Sequence, residues 1–211
     1  MTREEIKNTI LKNKVVAVVR MKNPDQLLKV IDAIVKGGVS GIELTLTIPN
    51  AIESIERASK EFGDDILLGV GSVTQSEQAV KAIYAGARFV VSPIYNPEVV
   101  DTVIEKNQVV IPGGFTPTEI QKAYEQGADF VKIFPADNLG MSFIKSIKAP
   151  LPHLQVIPTG GVTLDNANEW ISYGASAVGI GSALVDNKAI ESGNYNQLTE
   201  NAKKLCSNLG L

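Results

Sequence analysis

The sequence predicts a single α/β domain covering residues 1–211, a (β/α)8 barrel of the TIM type with a short N-terminal helix. Eight short apolar segments rich in β-branched residues recur along the chain, and each precedes a stretch with helical periodicity. Strands that are apolar on both faces are typical of a parallel sheet covered by helices. Eight consecutive strand–helix units in a chain of 211 residues favour a closed barrel over an open doubly wound sheet.

The elements can be assigned in order along the chain. Residues 1–13 are predicted to form an amphipathic helix. The helix after the first strand has apolar residues at spacings of three and four, namely Leu27, Leu28, Ile31, Ile34 and Val35. The eight predicted strands are residues 14–20, 41–46, 66–73, 89–94, 108–114, 130–136, 155–161 and 177–184.

Glycines mark the returns from helix to strand. Gly38, Gly86, Gly127 and Gly174 each follow a predicted helix and precede the next strand by a few residues. Because a helix that ends in a left-handed residue selects glycine, these four positions are predicted to be C′ caps. The segment after Val19 reads RMKNPDQ and lacks the G-x-G-x-x-G turn expected in an open dinucleotide-binding sheet. This difference further favours the barrel.

The composition excludes several classes of protein. Lys and Arg number 20 against 23 Asp and Glu, a net charge of −3, so we expect no basic surface for nucleic acid. A single cysteine, Cys206, and a single histidine, His153, argue against disulfide scaffolds, zinc fingers and multi-histidine metal sites. His153 lies in a polar, Pro-flanked segment and is predicted to be a surface residue. Because neither a membrane-length apolar run nor a signal-peptide core is found, we expect a cytoplasmic protein without a membrane segment.

Residues that buried strands normally exclude occur where the predicted strands end, and the active sites of such barrels lie at those ends. They are Arg20, Glu43, Thr45, Thr47, Ser72, Ser92, Pro93, Lys132, Thr159, Gly160, Gly161, Gly181 and Ser182. The carboxyl ends of the strands are therefore the candidate active site.

Lys132 lies in an apolar strand between Phe130 and Phe134, and lysine is almost never fully buried without a reason. Loss of hydration disfavours the charged ammonium, and the neutral amine is a nucleophile that attacks ketones. We therefore predict Schiff-base chemistry at Lys132. The alternatives are a lysine whose amine reaches the rim of the barrel, or one that pairs with a carboxylate.

Glu43 shares the parity of Thr45 and Thr47 on its strand, so its side chain should point into the barrel lumen. Schiff-base formation, dehydration and carbon–carbon cleavage require a group that alternately gives and accepts protons. A partly buried glutamate near an amine can be tuned for that role. The alternative is a structural salt bridge between Glu43 and Lys132.

Two further features suggest an anionic substrate. Arg20 ends the first strand, where its guanidinium could bind a carboxylate through two hydrogen bonds, although strand-end arginines are often only solvated. Glycine-rich turns follow the seventh and eighth strands, in the segments PTGGV and GIGSAL, and barrels frequently bind phosphate there. Thr159 and Ser182 add one hydroxyl donor to each turn. Glycine also permits tight turns that bind no ligand.

A series of motifs resembles a known family. The motifs GIELTLT, GVGSVT, VVSPIYNP, IPGGFTPTE, FVKIFPA, PTGGV and VGIGSAL occur in this order between about Val15 and Leu184. Their order and spacing resemble those of the 2-dehydro-3-deoxy-phosphogluconate (KDPG) and 4-hydroxy-2-oxoglutarate (KHG) aldolases. The resemblance implies a class I aldolase that needs no metal or cofactor, on a (β/α)8 barrel that is usually a homotrimer. Its substrate would be a small 2-keto acid: KDPG, cleaved to pyruvate and glyceraldehyde 3-phosphate, or KHG, cleaved to pyruvate and glyoxylate.

The same resemblance implies roles for residues. Lys132 of the K-x-F-P-A motif corresponds to the Schiff-base lysine, and Glu43 of the I-E-x-T motif to the general acid and base. Ser72 and Pro93 would line the pyruvate site. The other candidate substrate-binding residues are Arg20, Thr45, Phe134 and Thr159, and the candidate phosphate-binding residues are Gly160, Gly161, Gly181 and Ser182.

One position departs from the family pattern. Several members carry an arginine two residues after the threonine of the I-E-x-T motif, where it binds the substrate carboxylate, whereas this chain has Thr47. Other members carry an arginine at the end of the first strand in a V-A-V-x-R pattern, which VAVVR ending at Arg20 matches. The sequence alone leaves open whether Arg20 binds the carboxylate.

Several alternatives also stay open at the level of sequence. The preference between KDPG and KHG is not fixed, and neither is the configuration at C4, so the galactonate epimer of KDPG is a possible substrate. The same barrel and phosphate turns would suit a phosphosugar isomerase or a phosphate-ester synthase in which Lys132 acts only through its charge. A binding module without catalysis is the third alternative, against which the presence of both Glu43 and Lys132 argues.

Overall fold

The strands run parallel to one another and form a closed ring in the computed structural model, which describes residues 1–211. Nine segments make up the ring: β1 (Val15–Val19), β2 (Gly41–Thr45), β3 (Leu67–Gly71), β4 (Phe89–Val91), β5 (Val109–Ile111), β6 (Gly113–Gly114), β7 (Val131–Ile133), β8 (Val156–Pro158) and β9 (Val178–Ile180). Six of them pair in the order β5-β4-β3-β2-β1-β9, and the other three in the order β6-β7-β8. A bridge between Thr159 and Gly179 joins β8 to β9 and closes the ring.

The fifth predicted strand is divided into β5 and β6 at Pro112. Proline has no backbone N–H and therefore interrupts the hydrogen-bond ladder. The carbonyl of Pro112 still accepts a hydrogen bond of 2.8 Å from the Lys132 amide, so the ring continues through this position. With β5 and β6 counted as one strand, the predicted barrel of eight strands is confirmed.

Ten α-helices pack on the ring: α1 precedes β1, and the other nine follow the strands when β5 and β6 are counted as one. They are α1 (Arg3–Asn13), α2 (Leu27–Lys36), α3 (Ala51–Phe62), α4 (Ser76–Tyr84), α5 (Pro97–Glu105), α6 (Pro117–Glu125), α7 (Met141–Lys148), α8 (Ala167–Ser172), α9 (Asn187–Glu191) and α10 (Tyr195–Leu209). Local signals set their ends: the Thr116 hydroxyl accepts from the Glu119 amide at the start of α6, and Pro117 occupies the first turn. None of the ten helices combines the length and apolar character needed to cross a membrane.

The predicted glycine caps are confirmed, and other glycines shorten the predicted strands. Gly38, Gly86, Gly127 and Gly174 have φ values of 101°, 116°, 99° and 106°, the left-handed region that glycine tolerates best. Strand β8 ends at Pro158, before the predicted limit at residue 161, because the two glycines that follow also have positive φ and cannot continue a strand.

The interior of the barrel is apolar at one end and polar at the other. Helix α1 closes the amino-terminal end, where its buried Ile6 and Ile10 pack against strand residues such as Phe89 and Phe130 in one cluster. Arg3 holds this helix in place, because its guanidinium donates to Asp129 Oδ2 at 2.9 and 3.0 Å and to the Gly127 carbonyl at 2.7 Å. The chemistry is thereby confined to the carboxyl ends of the strands.

Substitution of Ile6 by alanine is expected to lower the free energy of unfolding by about 2–5 kcal/mol, because Ile6 is fully buried beneath the barrel and truncation leaves a cavity. Urea unfolding at equilibrium measures the effect. Leu11→Ala is the control on the same helix, since Leu11 is only partly buried and should lose less. Equal losses in the two variants would contradict a closing role for Ile6.

Candidate active site

Lys132 projects into the barrel from the middle of β7. Its side chain is 7% exposed, although the residue carries an ammonium group. The Lys132 Nζ lies 4.8 Å from the centre of the Phe134 ring, at the carboxyl end of the same strand. No carboxylate oxygen lies within the 4.0 Å limit of a salt bridge to Nζ. The predicted alternative of a plain Glu43–Lys132 salt bridge is therefore wrong.

Glu43 projects into the same lumen from the middle of β2, and it is 3% exposed. Its Oε1 atom is buried without any hydrogen-bond partner. Burial raises the pKa of the Glu43 carboxyl above its usual value of 4.5, while the nearby positive charges of Lys132 and Arg20 act in the opposite direction. A buried carboxyl with an open oxygen and a raised pKa is suited to proton transfer.

Lys132 and Glu43 line one small space, here called the inner cavity. Its other lining residues are Val16, Val91, Ile111, Ile157, Thr159 and Gly179, and its volume is about 10 Å³. Four of these six residues, Val16, Val91, Ile111 and Ile157, are aliphatic, so the two polar side chains lie in mainly apolar surroundings. An amine and a carboxyl that line one mainly apolar cavity are the groups needed to form and hydrolyse a Schiff base.

Gly71 makes room for the Glu43 carboxyl. A Cβ atom built at Gly71, at the end of the neighbouring β3, would collide with Oε1, Cδ and Cγ of Glu43. The backbone of Gly71 does not have a positive φ, so a side chain at this position is excluded only by the space that Glu43 occupies.

Gly71→Ala is therefore expected to leave the barrel folded and to displace the Glu43 carboxyl. Because a misplacement of about 1 Å in a catalytic group can cost about 10²-fold, we expect kcat to fall by roughly that factor. Steady-state kinetics with circular dichroism as a check on folding measures it. A variant with normal kcat would show that the position of Glu43 is not critical.

The glycine-rich turns after β8 and β9 line a second and larger space, the outer cavity, of about 290 Å³. Six backbone N–H groups in the two turns donate no hydrogen bond within the chain. They belong to Gly160, Gly161, Val162, Gly181, Ser182 and Ala183. The hydroxyls of Thr159 and Ser182 also line the outer cavity without a partner in the chain. Such free donors are suited to phosphate. Thr159 lines both the inner and the outer cavity, so the two are adjacent.

Arg20 lies just beyond the end of β1 and lines the outer cavity together with Phe134. The side chain is exposed and forms no salt bridge and no hydrogen bond within the chain. Its charge nevertheless reaches Glu43, whose pKa it lowers. The predicted site residue Arg20 is therefore near the inner cavity and has its hydrogen-bond donors free.

Three predicted site residues lie outside the lining of these two cavities. The Thr45 hydroxyl donates to the Val19 carbonyl at 3.3 Å and is 2.8 Å from the Thr47 hydroxyl, so it is already occupied. Pro93 lines a neighbouring cleft of about 580 Å³ that also includes Phe134. Ser72 directly follows β3 and has a φ of 62°, a value unusual for a residue other than glycine. Their roles in substrate binding stay predictions.

Sequence reasoning missed Asn187 and Asp137 near the outer cavity. Asn187 begins α9 and lines the outer cavity, five residues after Ser182. Asp137 packs against the glycine turn after β8, because a Cβ atom at Gly160 would lie 3.0 Å from its Oδ1. Neither residue lies at a strand end, so the pattern that predicted the other residues could not find them. His153 is on the surface as predicted, with Nε2 3.3 Å from Gln121 Oε1.

Comparison with known proteins identifies the same family as the sequence motifs do. A family model described as KDPG and KHG aldolase matches residues 6–201. The 2-dehydro-3-deoxy-phosphogluconate aldolase of Treponema pallidum is 35% identical over 88% of this chain and 89% of its own length. The 2-dehydro-3-deoxy-6-phosphogalactonate aldolase of Escherichia coli is 35% identical over 80% and 83%. A crystal structure of the KDPG aldolase of Legionella pneumophila, with pyruvate captured as a covalent carbinolamine, superimposes with a TM-score of 0.88 at 29% identity, over 95% of this chain and 97% of that one.

Proposed function

The chain belongs to the KDPG and KHG aldolase family, and we propose that it is a class I aldolase in which Lys132 forms the Schiff base and Glu43 transfers the protons. The observation that carries this proposal is the inner cavity, where a buried amine and a buried, unpartnered carboxyl oxygen share an apolar enclosure. The substrate is KDPG, which is cleaved to pyruvate and glyceraldehyde 3-phosphate, and KHG is a second substrate, cleaved to pyruvate and glyoxylate.

The reaction begins with addition of the neutral Lys132 amine to the C2 ketone of the substrate. Glu43 in its protonated form donates a proton to the C2 hydroxyl of the carbinolamine, which leaves as water and gives an iminium ion. The raised pKa of Glu43 keeps a proton available for this step. The Phe134 ring lies 4.8 Å from Nζ and stabilises the cationic iminium by about 0.5–2 kcal/mol.

In the cleavage step Glu43 acts as a base, whereas it acted as an acid in the dehydration, and Lys132 carries the iminium. Glu43, now ionised, accepts the proton of the C4 hydroxyl. The C3–C4 bond breaks, its electron pair moves towards the iminium nitrogen, and the aldehyde and an enamine of pyruvate are formed. Proton transfer to C3 and addition of water to C2 then release pyruvate and restore the Lys132 amine. General acid and base help of this type contributes about 10² to 10⁴ in rate.

The outer cavity binds the distal phosphate in this proposal. Five of its lining residues, Gly160, Gly161, Val162, Gly181 and Ser182, have free backbone N–H groups, and the Thr159 and Ser182 hydroxyls are also free. Gly160 and Gly161 in the turn after β8 have positive φ values of 101° and 72°, a backbone conformation that residues other than glycine rarely adopt. Arg20 takes the substrate carboxylate, because Thr47 is too short for that role and Arg20 has no partner in the chain.

Ser182→Ala is expected to lower kcat/KM for KDPG by about tenfold and to leave kcat/KM for KHG within about twofold. A hydrogen bond to a charged group is worth about 1.5–3 kcal/mol, and only KDPG carries the phosphate. Steady-state pyruvate release with both substrates provides the comparison. Ser192→Ala is the control, because the Ser192 hydroxyl only caps α9. An equal loss on KDPG and KHG would place Ser182 outside the phosphate site.

Borohydride reduction in the presence of pyruvate tests the proposed function. An aldolase of this class yields a covalent pyruvate adduct on Lys132, which mass spectrometry of proteolytic fragments locates. A folded protein without this adduct would favour the isomerase or synthase alternative, in which Lys132 acts only through its charge. The gluconate and galactonate epimers are compared by their kcat/KM values, since relatives of both names match the chain.

We also propose that the protein is a homotrimer located in the cytoplasm. The cleft beside the active-site mouth exposes three large apolar side chains, Ile94, Phe115 and Phe134, at 51%, 40% and 37%. An exposed apolar patch of this kind is typical of a protein–protein interface. Light scattering after size-exclusion chromatography measures the mass of the assembly.

A further inference from the structure

A third space, here called the side cavity, adjoins the outer cavity on the far side of Arg20. It is bounded by the segment after β1, the segment after β2 and helix α9, and its volume is about 430 Å³. Its lining residues are Arg20, Met21, Lys22, Asn23, Gln26, Thr47, Pro49, Asn187, Ile190 and Glu191. The size falls within the range of about 300–1,000 Å³ found for small-molecule sites. Neither Lys132 nor Glu43 takes part in it.

The side cavity contains two cations without a partner. Arg20 and Lys22 are exposed and flank Met21, which is 5% exposed and points into the core. Neither cation forms a salt bridge or donates a hydrogen bond within the chain. Glu191 is the one acidic residue of the lining, and it also forms no ion pair. The lining therefore carries a net positive charge that is available to a ligand.

Neutral polar groups complete the lining. The Asn187 side chain forms no hydrogen bond within the chain, and the Asn23 side chain uses only its oxygen, which accepts from the Asp25 amide at 3.0 Å. Gln26 donates to the Ile190 carbonyl at 3.3 Å and keeps its own side-chain oxygen free. Free amide donors and acceptors are suited to hydroxyl groups, which donate and accept in turn.

We propose that the side cavity binds a second small molecule, a short polyol phosphate of about three to six carbons, separately from the substrate. The phosphate is held by Lys22 and Arg20, because a phosphate monoester carries about −1.5 to −2 charges and suits paired cations. The hydroxylated carbons lie against the amides of Asn187 and Gln26. The class of ligand thus follows from two free cations and several free amides in one polar cavity.

The two ligand sites share Arg20 and Asn187, which line both the outer and the side cavity. A phosphate bound in the side cavity forms an ion pair with the Arg20 guanidinium. Arg20 is also the residue proposed to bind the substrate carboxylate, so a ligand that occupies its guanidinium from the side cavity is expected to weaken that binding. Occupancy of the side cavity therefore acts on the active site as an inhibitor.

Calorimetric titration of the full-length protein with glycerol 3-phosphate tests the proposal. We expect two molecules bound per chain, one in the outer and one in the side cavity. Lys22→Gln should weaken one of the two sites by about tenfold or more, the effect of losing a charged hydrogen bond, and Ser182→Ala should weaken only the other. Lys81→Gln is the matched control, because Lys81 is equally exposed on α4 and has no ion pair.

Several results would overturn the proposal. The first is a single molecule bound per wild-type chain, and the second is an unchanged second site in Lys22→Gln. The third is inorganic phosphate that binds as tightly as glycerol 3-phosphate, because the site would then recognise the phosphate and not the polyol. A loss of kcat/KM for KDPG in Lys22→Gln would assign the side cavity to the substrate instead. The binding measurement needs no turnover, so a failure of the aldolase assignment would appear separately, in the borohydride reaction at Lys132.

Discussion

Lys132→Ala is expected to abolish the borohydride-trapped pyruvate adduct and to lower kcat for KDPG cleavage by about 10⁴-fold or more, as expected when a covalent nucleophile is removed. The variant should remain folded. Lys132 forms no salt bridge, and loss of its charge raises the pKa of the buried Glu43 carboxyl further, which favours the neutral form of Glu43 and avoids an unpaired buried charge. Turnover, trapping and thermal unfolding are measured on the same preparation.

Two companion variants make the result specific. Lys132→Arg keeps a positive charge near the Phe134 ring but cannot form a Schiff base, so it should be as inactive as the alanine variant. Lys122→Ala removes an exposed lysine from α6 and should change nothing. Substantial activity in Lys132→Arg would mean that the residue acts through its charge alone, and collapse of Lys132→Ala would mean that the lysine has a structural role.

Glu43→Gln is expected to lower kcat by about 10² to 10⁴-fold, the contribution of a general acid and base. The amide has nearly the same shape as the carboxyl and therefore fills the same space beside Gly71. It cannot donate a proton to the carbinolamine hydroxyl or accept one from the C4 hydroxyl. Pre-steady-state formation of the iminium with pyruvate should slow as well, because dehydration needs the same acid. Normal kinetics would exclude Glu43 from proton transfer.

The same variant should change how stability depends on pH. Burial raises the folded-state pKa of Glu43 above 4.5, so the folded protein binds the proton more tightly than the unfolded chain does. This contribution to stability is complete below the unfolded-state pKa and is lost as the pH rises through the folded-state pKa. We expect Glu43→Gln, which does not ionise, to have a higher Tm than the wild type at pH 8, and the difference to shrink towards pH 4. A constant difference across this range would contradict a raised pKa.

The fold could be predicted from the sequence because its signals are local. Each strand is a short β-branched segment, each helix has apolar residues at its own period, and glycines with positive φ, such as Gly38 and Gly86, end the helices. The break at Pro112 is also a local effect. The early end of β8 at Pro158 was missed because the predicted strand was extended through Gly160 and Gly161, whose positive φ values end it.

Some features of the candidate site could also be predicted from the sequence, and others could not. Lys132 and Glu43 could be found because each is a polar residue in an apolar strand, which is visible without any knowledge of neighbours. The unpartnered oxygen of Glu43, the hydrogen-bonded state of the Thr45 hydroxyl and the place of Asn187 depend on contacts between residues distant in sequence. Such contacts exist only in the assembled barrel, so no local pattern reveals them.

The helix that seals one end of the barrel has a consequence for the order of events in catalysis. With Ile6 and Ile10 filling the far end, everything that enters or leaves Lys132 must use a single opening. In the proposed binding mode the aldehyde half of the substrate lies nearer that opening than the pyruvate half. The aldehyde therefore departs first, and the three-carbon enamine stays tethered behind it until water arrives by the same route. In the synthetic direction, pyruvate must load before the aldehyde.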